Sequence, residues 1–476
     1  MLRAAAHLRE TGRYAEAQAA YQHVLAANPD QPTCWYNLGF VQRMQGRFAE
    51  ALDSYAEAIR RGADSPEEIH LNRAVILADH LLREHDAEAE LNAALARNPR
   101  YAPALFNLAN LREDRGRRDE AMALYRHVLQ IAPRTYEALA RLAQIAPASE
   151  AEGMVERVRS ALDAPDASPA DRASLGFALG TLLDRIGAYD DAFAAYAAAN
   201  DASAASAVTR PVYDRRAQER LIDEIIATPM PSYSRTDGDA AAPIFICGMF
   251  RSGSTLAEQV LAGHPRIQPG GELALLPAIA REIGFPAGVR SLAQDEIEGH
   301  AQRYRERLHR LFPSAPRVTD KRPDNFLHIG LIKRLFPAAR IVHTKRHALD
   351  NVLSLFFLHL DHSMSYALDL LDAAHHYRQY RRLMDHWKSI YSEDIFDFSY
   401  DRFVQSPRPA VEQMLSFLDL EWSDECLAFH RRTNAVRTAS VWQVREPLYR
   451  RSSGRWRNYA RQLEPVRAAL RDLIED

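Results

Sequence analysis

Small and apolar residues recur with helical spacing through the first 136 residues, and that pattern itself repeats. Gly12, Gly46 and Gly116 stand 34 and 70 residues apart. Tyr14 and Phe48 keep the 34-residue spacing, as do Ala17 and Ala51. Tyr21, Tyr55 and Tyr125 share one register, and Pro29, Pro99 and Pro133 share another. The interval of 70 is two periods plus a two-residue insertion. The clearest copy is "WYNLGFVQRMQGRFAEALDSYAEAI", Trp35 to Ile59. It predicts a helix, a glycine turn and a second helix. Gly46 tolerates the turn between antiparallel helices. Ala51 lets the two helices approach, Tyr55 fills the groove behind it, and proline ends the unit. One such unit cannot bury its own apolar face, so units must stack.

Gly187, Tyr189, Ala192 and Tyr196 repeat the offsets of Gly12, Tyr14, Ala17 and Tyr21. The stretch between, residues 137–168, reads as helical and degenerate. These residues resemble tetratricopeptide repeats, about four over residues 1–136 and one more within a helical region at 137–202. The resemblance implies an all-α superhelix with a concave surface for a peptide or protein segment. Packing on a neighbouring domain, or self-association, is the alternative. Composition changes after Ala202. One amphipathic helix is predicted from Val212 to Thr228, and Pro, Ser, Asp and Gly then loosen the chain. The domain boundary therefore falls within a linker at 203–240.

From there the pattern is no longer helical. "PIFICG" is a short continuous apolar run, the form of a buried strand. Gly248-Met249-Phe250-Arg251-Ser252-Gly253-Ser254-Thr255 follows, and helical spacing resumes. The spacing nearly matches a nucleotide-binding G-x-x-x-x-G-K-[ST] loop, but Ser254 holds the lysine position. Ser254 cannot reach the β- and γ-phosphates of a nucleotide as that lysine does. The turn's N–H groups and the following helix N-terminus can still hold an anion. Arg251 supplies positive charge from another place in the loop. The anion is thus a phosphate or sulfate group other than the γ-phosphate of ATP.

"GMFRSGSTL" resembles the 5′-phosphosulfate loop of sulfotransferases, in the branch that includes protein-tyrosine sulfotransferases. Phe250 stands where that family usually has proline, and Ser254 where it has threonine. The resemblance implies a P-loop-like α/β domain with a mostly parallel sheet, at about 241–476. It also implies 3′-phosphoadenosine 5′-phosphosulfate (PAPS) as sulfuryl donor and a hydroxyl as acceptor, with a protein or peptide tyrosine favoured over glycans and small molecules. Loop residues Arg251, Ser252, Gly253, Ser254 and Thr255 would bind the donor. "ARIVHTKRHALDNVLSLFF" reads as a strand from Arg340 to Thr344, then a helix starting near Leu349. Arg346 and Ser354 match the family's spacing for the 3′-phosphate, with His347 where the family usually has aspartate and Asp350 at its helix acid.

Four further positions carry over from the resemblance. Glu272 in "PGGELALL" matches a general base; a helix-start acid after two glycines is the alternative. Lys321 in "VTDKRPDNF" matches a lysine on the bridging oxygen and sulfonate; a surface lysine is the alternative. Ser440 matches a serine near the transferred group, and a two-place slip would put Thr438 there. Arg455 stands where the family has a lysine near the nucleotide. Arg251, Glu272, Lys321 and Ser440 form the expected catalytic set.

Composition changes this picture little. The chain has 476 residues, 26% of them charged, and a formal net charge of −3, which gives no sign of a nucleic-acid partner. Three scattered cysteines form no metal or disulfide pattern and suit a reducing, cytoplasmic setting. Neither a signal peptide nor a membrane span is predicted. The many histidines show no metal spacing, and no metal is expected. "DAAHHYRQYRRLMDHW" reads as an amphipathic helix with an aromatic stripe, which could bring Tyr377, Tyr380 or Arg381 towards a ligand. The oligomeric state is not legible.

Overall fold

Helices come in hairpins, as the 34-residue period requires. The structure, a computed structural model, describes residues 1–230, 242–432, 436, 442–445, 448 and 452–474. They form two compact units, Met1–Ala138 and Leu139–Asp476.

The first unit pairs α1 (Leu2–Glu10) with α2 (Tyr14–Ala27), α3 (Pro32–Met44) with α4 (Phe48–Arg60), α5 (Pro66–Val75) with α6 (Glu84–Arg97), and α7 (Ala102–Asp114) with α8 (Arg118–Ile131). The helix α9 (Tyr136–Ile145) follows. Gly12, Gly46 and Gly116 turn with φ of 73–74°, a conformation that L side chains rarely adopt. Ala17, Ala51, Tyr21 and Tyr55 are buried, as the pattern predicts. In the third hairpin Leu82 takes the turn position at φ 54°. Pro32 to Gly46 spans 14 residues and Pro66 to Leu82 spans 16. The longer stretch contains a π-helical turn, Ile76–His80, which takes up the two-residue insertion.

The second unit begins within α9, at Leu139, and continues with α10 (Ala151–Leu162), α11 (Pro169–Arg185), α12 (Tyr189–Ser206) and α13 (Arg215–Ala227). There follow β1 (Ile244–Gly248), α14 (Ser254–Ala262), β2 (Ile267–Pro269), α15 (Leu275–Glu282), α16 (Gln294–Leu311), β3 (Arg317–Lys321), α17 (Ile329–Leu335), β4 (Ile341–Lys345), α18 (Ala348–Phe356), α19 (Leu370–Tyr391) and β5 (Ile395–Ser399). Helices α20 (Tyr400–Gln405), α21 (Pro407–Phe417) and α22 (Glu464–Ala469) complete it. The hairpin α11–α12 shares this unit with the sheet, so the helical region expected at 137–202 stands with the strands rather than with the first four hairpins.

The sheet is parallel throughout, in the order β2-β3-β1-β4-β5. Its central strand β1 is buried along its whole length, which is why it reads as an unbroken apolar run. Leu256 and Val260 of α14 pack with Ile244, Ile246 and Val342 in one core cluster. Phe245, Tyr304 and Phe336 make an aromatic cluster of their own. In α19, Tyr377, Tyr380, Leu383, Met384 and Trp387 are buried, the stripe the sequence predicts. After β1 the chain runs to β2 and β3 on one side, then crosses to β4 and β5 on the other. The carboxyl ends of β1 and β4 therefore flank a topological switch point, where parallel sheets place their ligands.

Candidate active site

The site begins where β1 stops. A Cβ on Gly248 would lie 2.5 Å from Thr344 O and Oγ1 and 2.8 Å from Ser252 Oγ, so only glycine lets the turn close on β4. Ser252 Oγ shares a hydrogen bond with Thr344 Oγ1 at 2.6 Å, and Thr344 Oγ1 donates to Cys247 O at 3.1 Å. Arg251 holds φ 70°, an uncommon backbone for a residue with a side chain, and such positions concentrate at functional sites. Gly253, at φ 104°, leads directly into α14. Ser254 and Thr255 are buried in that helix's first turn. The turn thus aims N–H groups and a helix N-terminus outward from the end of β1.

Arg251 reaches across to the next strand's helix. Its Nε donates to Ser354 Oγ at 3.0 Å, and its Nη2 donates to Gln443 Oε1 at 3.1 Å. Arg346, just past β4, donates to Arg251 O at 3.2 Å and to Ser452 O at 2.5 Å, and sits 5.2 Å from the Tyr400 ring centre. Its Nε is buried without a hydrogen-bond partner among the described residues. Arg251, Gly253, Arg346, Tyr400, Gln443 and Ser452 line a cleft that opens to solvent. A buried guanidinium N–H left unmatched beside a helix N-terminus and a second arginine is a site built for an anion with several oxygens. PAPS fits that donor set.

The third cation stands on the other side of β1. Lys321 ends β3, and Ile246 of β1 is its register partner. Lys321 is 1% exposed and donates to Glu272 Oε1 at 2.5 Å, while Glu272 is 38% exposed. A buried ammonium is thus presented to a carboxylate at the surface. Strand neighbours lie ~4.8 Å apart, so Lys321 and Arg346 flank the β1 turn from either side. The Gly270-Gly271-Glu272 turn is held from below. Glu258 of α14 is buried, and its Oε1 accepts from Gly271 N at 3.0 Å and Thr319 Oγ1 at 2.7 Å. Lys321 N donates to Gly271 O at 2.9 Å. Burial pushes the Glu258 carboxyl up, and Lys321 works in the opposite direction.

Residues 452–459 close the site from the far end of the chain. Asp350 accepts from Gly454 N at 2.6 Å and from Trp456 N at 2.8 Å. Asp401 accepts from His347 N at 2.8 Å and from Ser453 Oγ at 2.5 Å. His347 stacks on Trp456, with 3° between the rings. Asn351 Nδ2 donates to Phe250 O at 2.9 Å. Arg455 pairs with Asp184 of α11 at 2.9 Å and lies 5.2 Å from the Phe357 ring centre. It is not among the residues lining the cleft.

The sequence-predicted residues thus separate into groups. Arg251, Ser252, Gly253, Ser254, Thr255, Arg346 and Ser354 gather at the carboxyl ends of β1 and β4. Glu272 and Lys321 form a pair at the end of β3. Arg455 faces the α11–α12 hairpin. Ser440 and Thr438 lie outside the described residues. Tyr377 reaches Arg346 O at 3.5 Å, whereas Tyr380 turns inward to His343. Among the described residues no cluster of metal-ligating side chains occurs, and no helix is long and apolar enough to cross a membrane. Sequence reasoning missed Glu258, Asp401 and Tyr400. A buried acid in a helix of small and apolar residues was the signal for Glu258.

Residues 243–424 match the sulfotransferase family, and residues 2–66 and 104–144 match tetratricopeptide repeats. An uncharacterised protein of Aquifex aeolicus is 28% identical over 450 residues, covering 90% of this chain and 58% of its own length. A putative protein-tyrosine sulfotransferase of Caenorhabditis briggsae is 26% identical over 200 residues, 40% of this chain and 70% of that one. Among solved structures, the sulfotransferase domain of the Synechococcus PCC 7002 olefin synthase aligns at 21% identity with a TM-score of 0.36, over 48% of this chain and 91% of that one. The chain spans little more than half the length of the first of these relatives. With the strand-turn-helix at Gly248–Ser254 and the parallel sheet behind it, the family matches over residues 2–66, 104–144 and 243–424 show that this chain carries tetratricopeptide repeats followed by a domain of the sulfotransferase family.

Proposed function

We propose that the protein transfers a sulfuryl group from PAPS to an acceptor hydroxyl, with a protein or peptide tyrosine as the acceptor class. The observation that carries this reading is the convergence of Arg251, Lys321 and Arg346 on the carboxyl ends of three adjacent strands, around one helix N-terminus. PAPS, when bound, supplies the sulfuryl group and leaves as the 3′,5′-bisphosphate. Arg346 and Ser354 hold the 3′-phosphate, and the 251–255 turn holds the 5′-phosphosulfate. Glu272 takes the acceptor's proton; its carboxylate is exposed enough to meet a bound hydroxyl. Lys321 and Arg251 stabilise the negative charge that builds as the leaving group departs. Ser440 adds a donor to the same oxygens, and Arg455 supports the nucleotide side.

The tyrosine acceptor rests on likeness to proteins named as tyrosine sulfotransferases and on a repeat array suited to presenting a peptide. A cytoplasmic location accords with three buried, unpaired cysteines. The test is a thermal shift with adenosine 3′,5′-bisphosphate. The wild type should be stabilised and Arg346→Ala should not. Stabilisation by ATP with magnesium instead would favour a kinase, and by neither, a scaffold. Labelled PAPS and tyrosine-containing peptides would then identify the acceptor.

A further inference from the structure

The hairpin α11–α12 carries the repeat signature, yet it packs within the sheet unit and meets it through specific chemistry. Asp184, at the end of α11, pairs with Arg455 through Nη2 at 2.9 Å and Nε at 3.3 Å. The Tyr459 hydroxyl donates to the same carboxylate. Tyr196 of α12 stacks on Phe357 at 3.9 Å, Phe193 stacks on Phe356 at 5.5 Å, and Asn200 Nδ2 donates to Phe356 O at 2.9 Å. Those two phenylalanines end and follow α18, the helix whose Ser354 meets Arg251.

Residues 452–459 are therefore held on two sides. Asp350 and Asp401 fix Ser453, Gly454 and Trp456 from the sheet side. Asp184 fixes Arg455 and Tyr459 from the hairpin side. The same short segment supplies Ser452 O to Arg346 and lines the anion cleft. We infer that the α11–α12 hairpin is a working part of the donor site, with Asp184 as the positioning residue that sets residues 452–459 against Arg346. The inference rests on the proposed PAPS reading. It makes this last repeat a determinant of donor affinity, distinct from any acceptor role of the first four hairpins.

The experiment uses the full chain. Adenosine 3′,5′-bisphosphate affinity is measured by calorimetry, and KM for PAPS, KM for acceptor and kcat by transfer assay. The variants are Asp184→Asn, Asp184→Ala and, as control, Asp190→Ala, whose exposed pair with Arg461 lies on the same hairpin. Asp184→Asn should weaken bisphosphate binding and raise KM for PAPS about tenfold, with KM for acceptor unchanged. Asp190→Ala should change neither. If Asp184→Ala does not fold, Asp184→Asn decides, because it keeps the shape and removes the charge. Bisphosphate affinity within twofold of wild type in Asp184→Asn, even with a lowered Tm, would overturn the inference and leave a structural contact. A wild type that binds no bisphosphate would overturn the PAPS reading and this inference with it.

Discussion

Two hairpins of the same pattern end in different company. In α3–α4, a Cβ on Gly39 would lie 2.8 Å from the Tyr55 ring; in α11–α12, one on Gly180 would lie 2.7 Å from the Tyr196 ring. Gly46 and Gly187 both turn in the left-handed region, and Ala51 and Ala192 are both wholly buried. The outward residues differ. Arg43, three before its turn glycine, donates to Asn72 of the next hairpin at 3.0 Å. Asp184 holds the same place before Gly187 and binds Arg455, 271 residues on. Tyr55 lies near Tyr36, and its hydroxyl has no hydrogen-bond partner among the described residues, whereas Tyr196 lies on Phe357. The repeat signature encodes a hairpin, and a few outward side chains decide what that hairpin packs upon.

The strongest way to break the comparison is through chemistry. Glu272→Gln should lower kcat about 10²–10⁴-fold, the range for losing a general base, while Tyr55→Phe should leave it unchanged. Labelled PAPS in a transfer assay reads both, and loss of turnover in Tyr55→Phe would show the first unit to be part of catalysis.

Acid should separate the two units next. His343 and His376 are buried and His328 is half-buried; loss of water pulls His328 and His343 down to about 4 and His376 to about 3. His343 is held neutral, with Nδ1 against Asp397 and Nε2 against the Tyr380 hydroxyl. Unfolded, each takes up a proton near 6.5, so the unfolded chain binds more protons between about 6.5 and 4. The stability these groups allow is complete above about 6.5 and is lost as pH falls from there, by up to about 1.4 kcal/mol per histidine per pH unit. In the first unit His7, His23, His80, His85 and His127 are exposed and His70 is half-buried. Pulse proteolysis in urea from pH 7 to 5 should show the sheet unit weakening first.

Two glycine substitutions sharpen the contrast. Gly39→Leu and Gly180→Leu should each cost about 1–3 kcal/mol, because the added side chain meets a buried tyrosine ring. Only Gly180→Leu should also weaken bisphosphate binding. Equal binding losses in both would mean that the hairpins are not functionally distinct. The smallest effect is expected at an exposed pair in the first unit: Arg47→Ala, which removes the pair with Glu50, should change stability by about 0.5 kcal/mol or less in a urea melt.

Much of the site was legible because its parts are local in sequence. The Gly248–Thr255 turn joins β1 to α14 without a break, and Arg346 and Ser354 belong to one strand-to-helix step. The strand expected at Arg340–Thr344 lies one residue later, at Ile341–Lys345, because its pairing with β5 runs from Ile341 to Lys345. Asp401 and Tyr400 were not legible, and an acid among small and apolar residues was the one mark of Glu258. Glu258 acts through Thr319, 61 residues away, and Asp401 through His347, 54 residues away. A polar residue bonded to a partner distant in sequence leaves no spacing to read.

By itself the sequence determined the hairpins, the central strand and the Gly248–Thr255 turn between strand and helix. Each follows from steric and hydrogen-bonding rules that act over a few residues, so a period of 34 or a buried apolar run suffices. Only the tertiary structure decided that the last hairpin belongs with the sheet, that Lys321 is buried against Glu272, and that Arg346 keeps an N–H unmatched among the described residues. Those outcomes depend on which surfaces meet and how much water they exclude. Burial and charge pairing become defined only when the chain closes on itself.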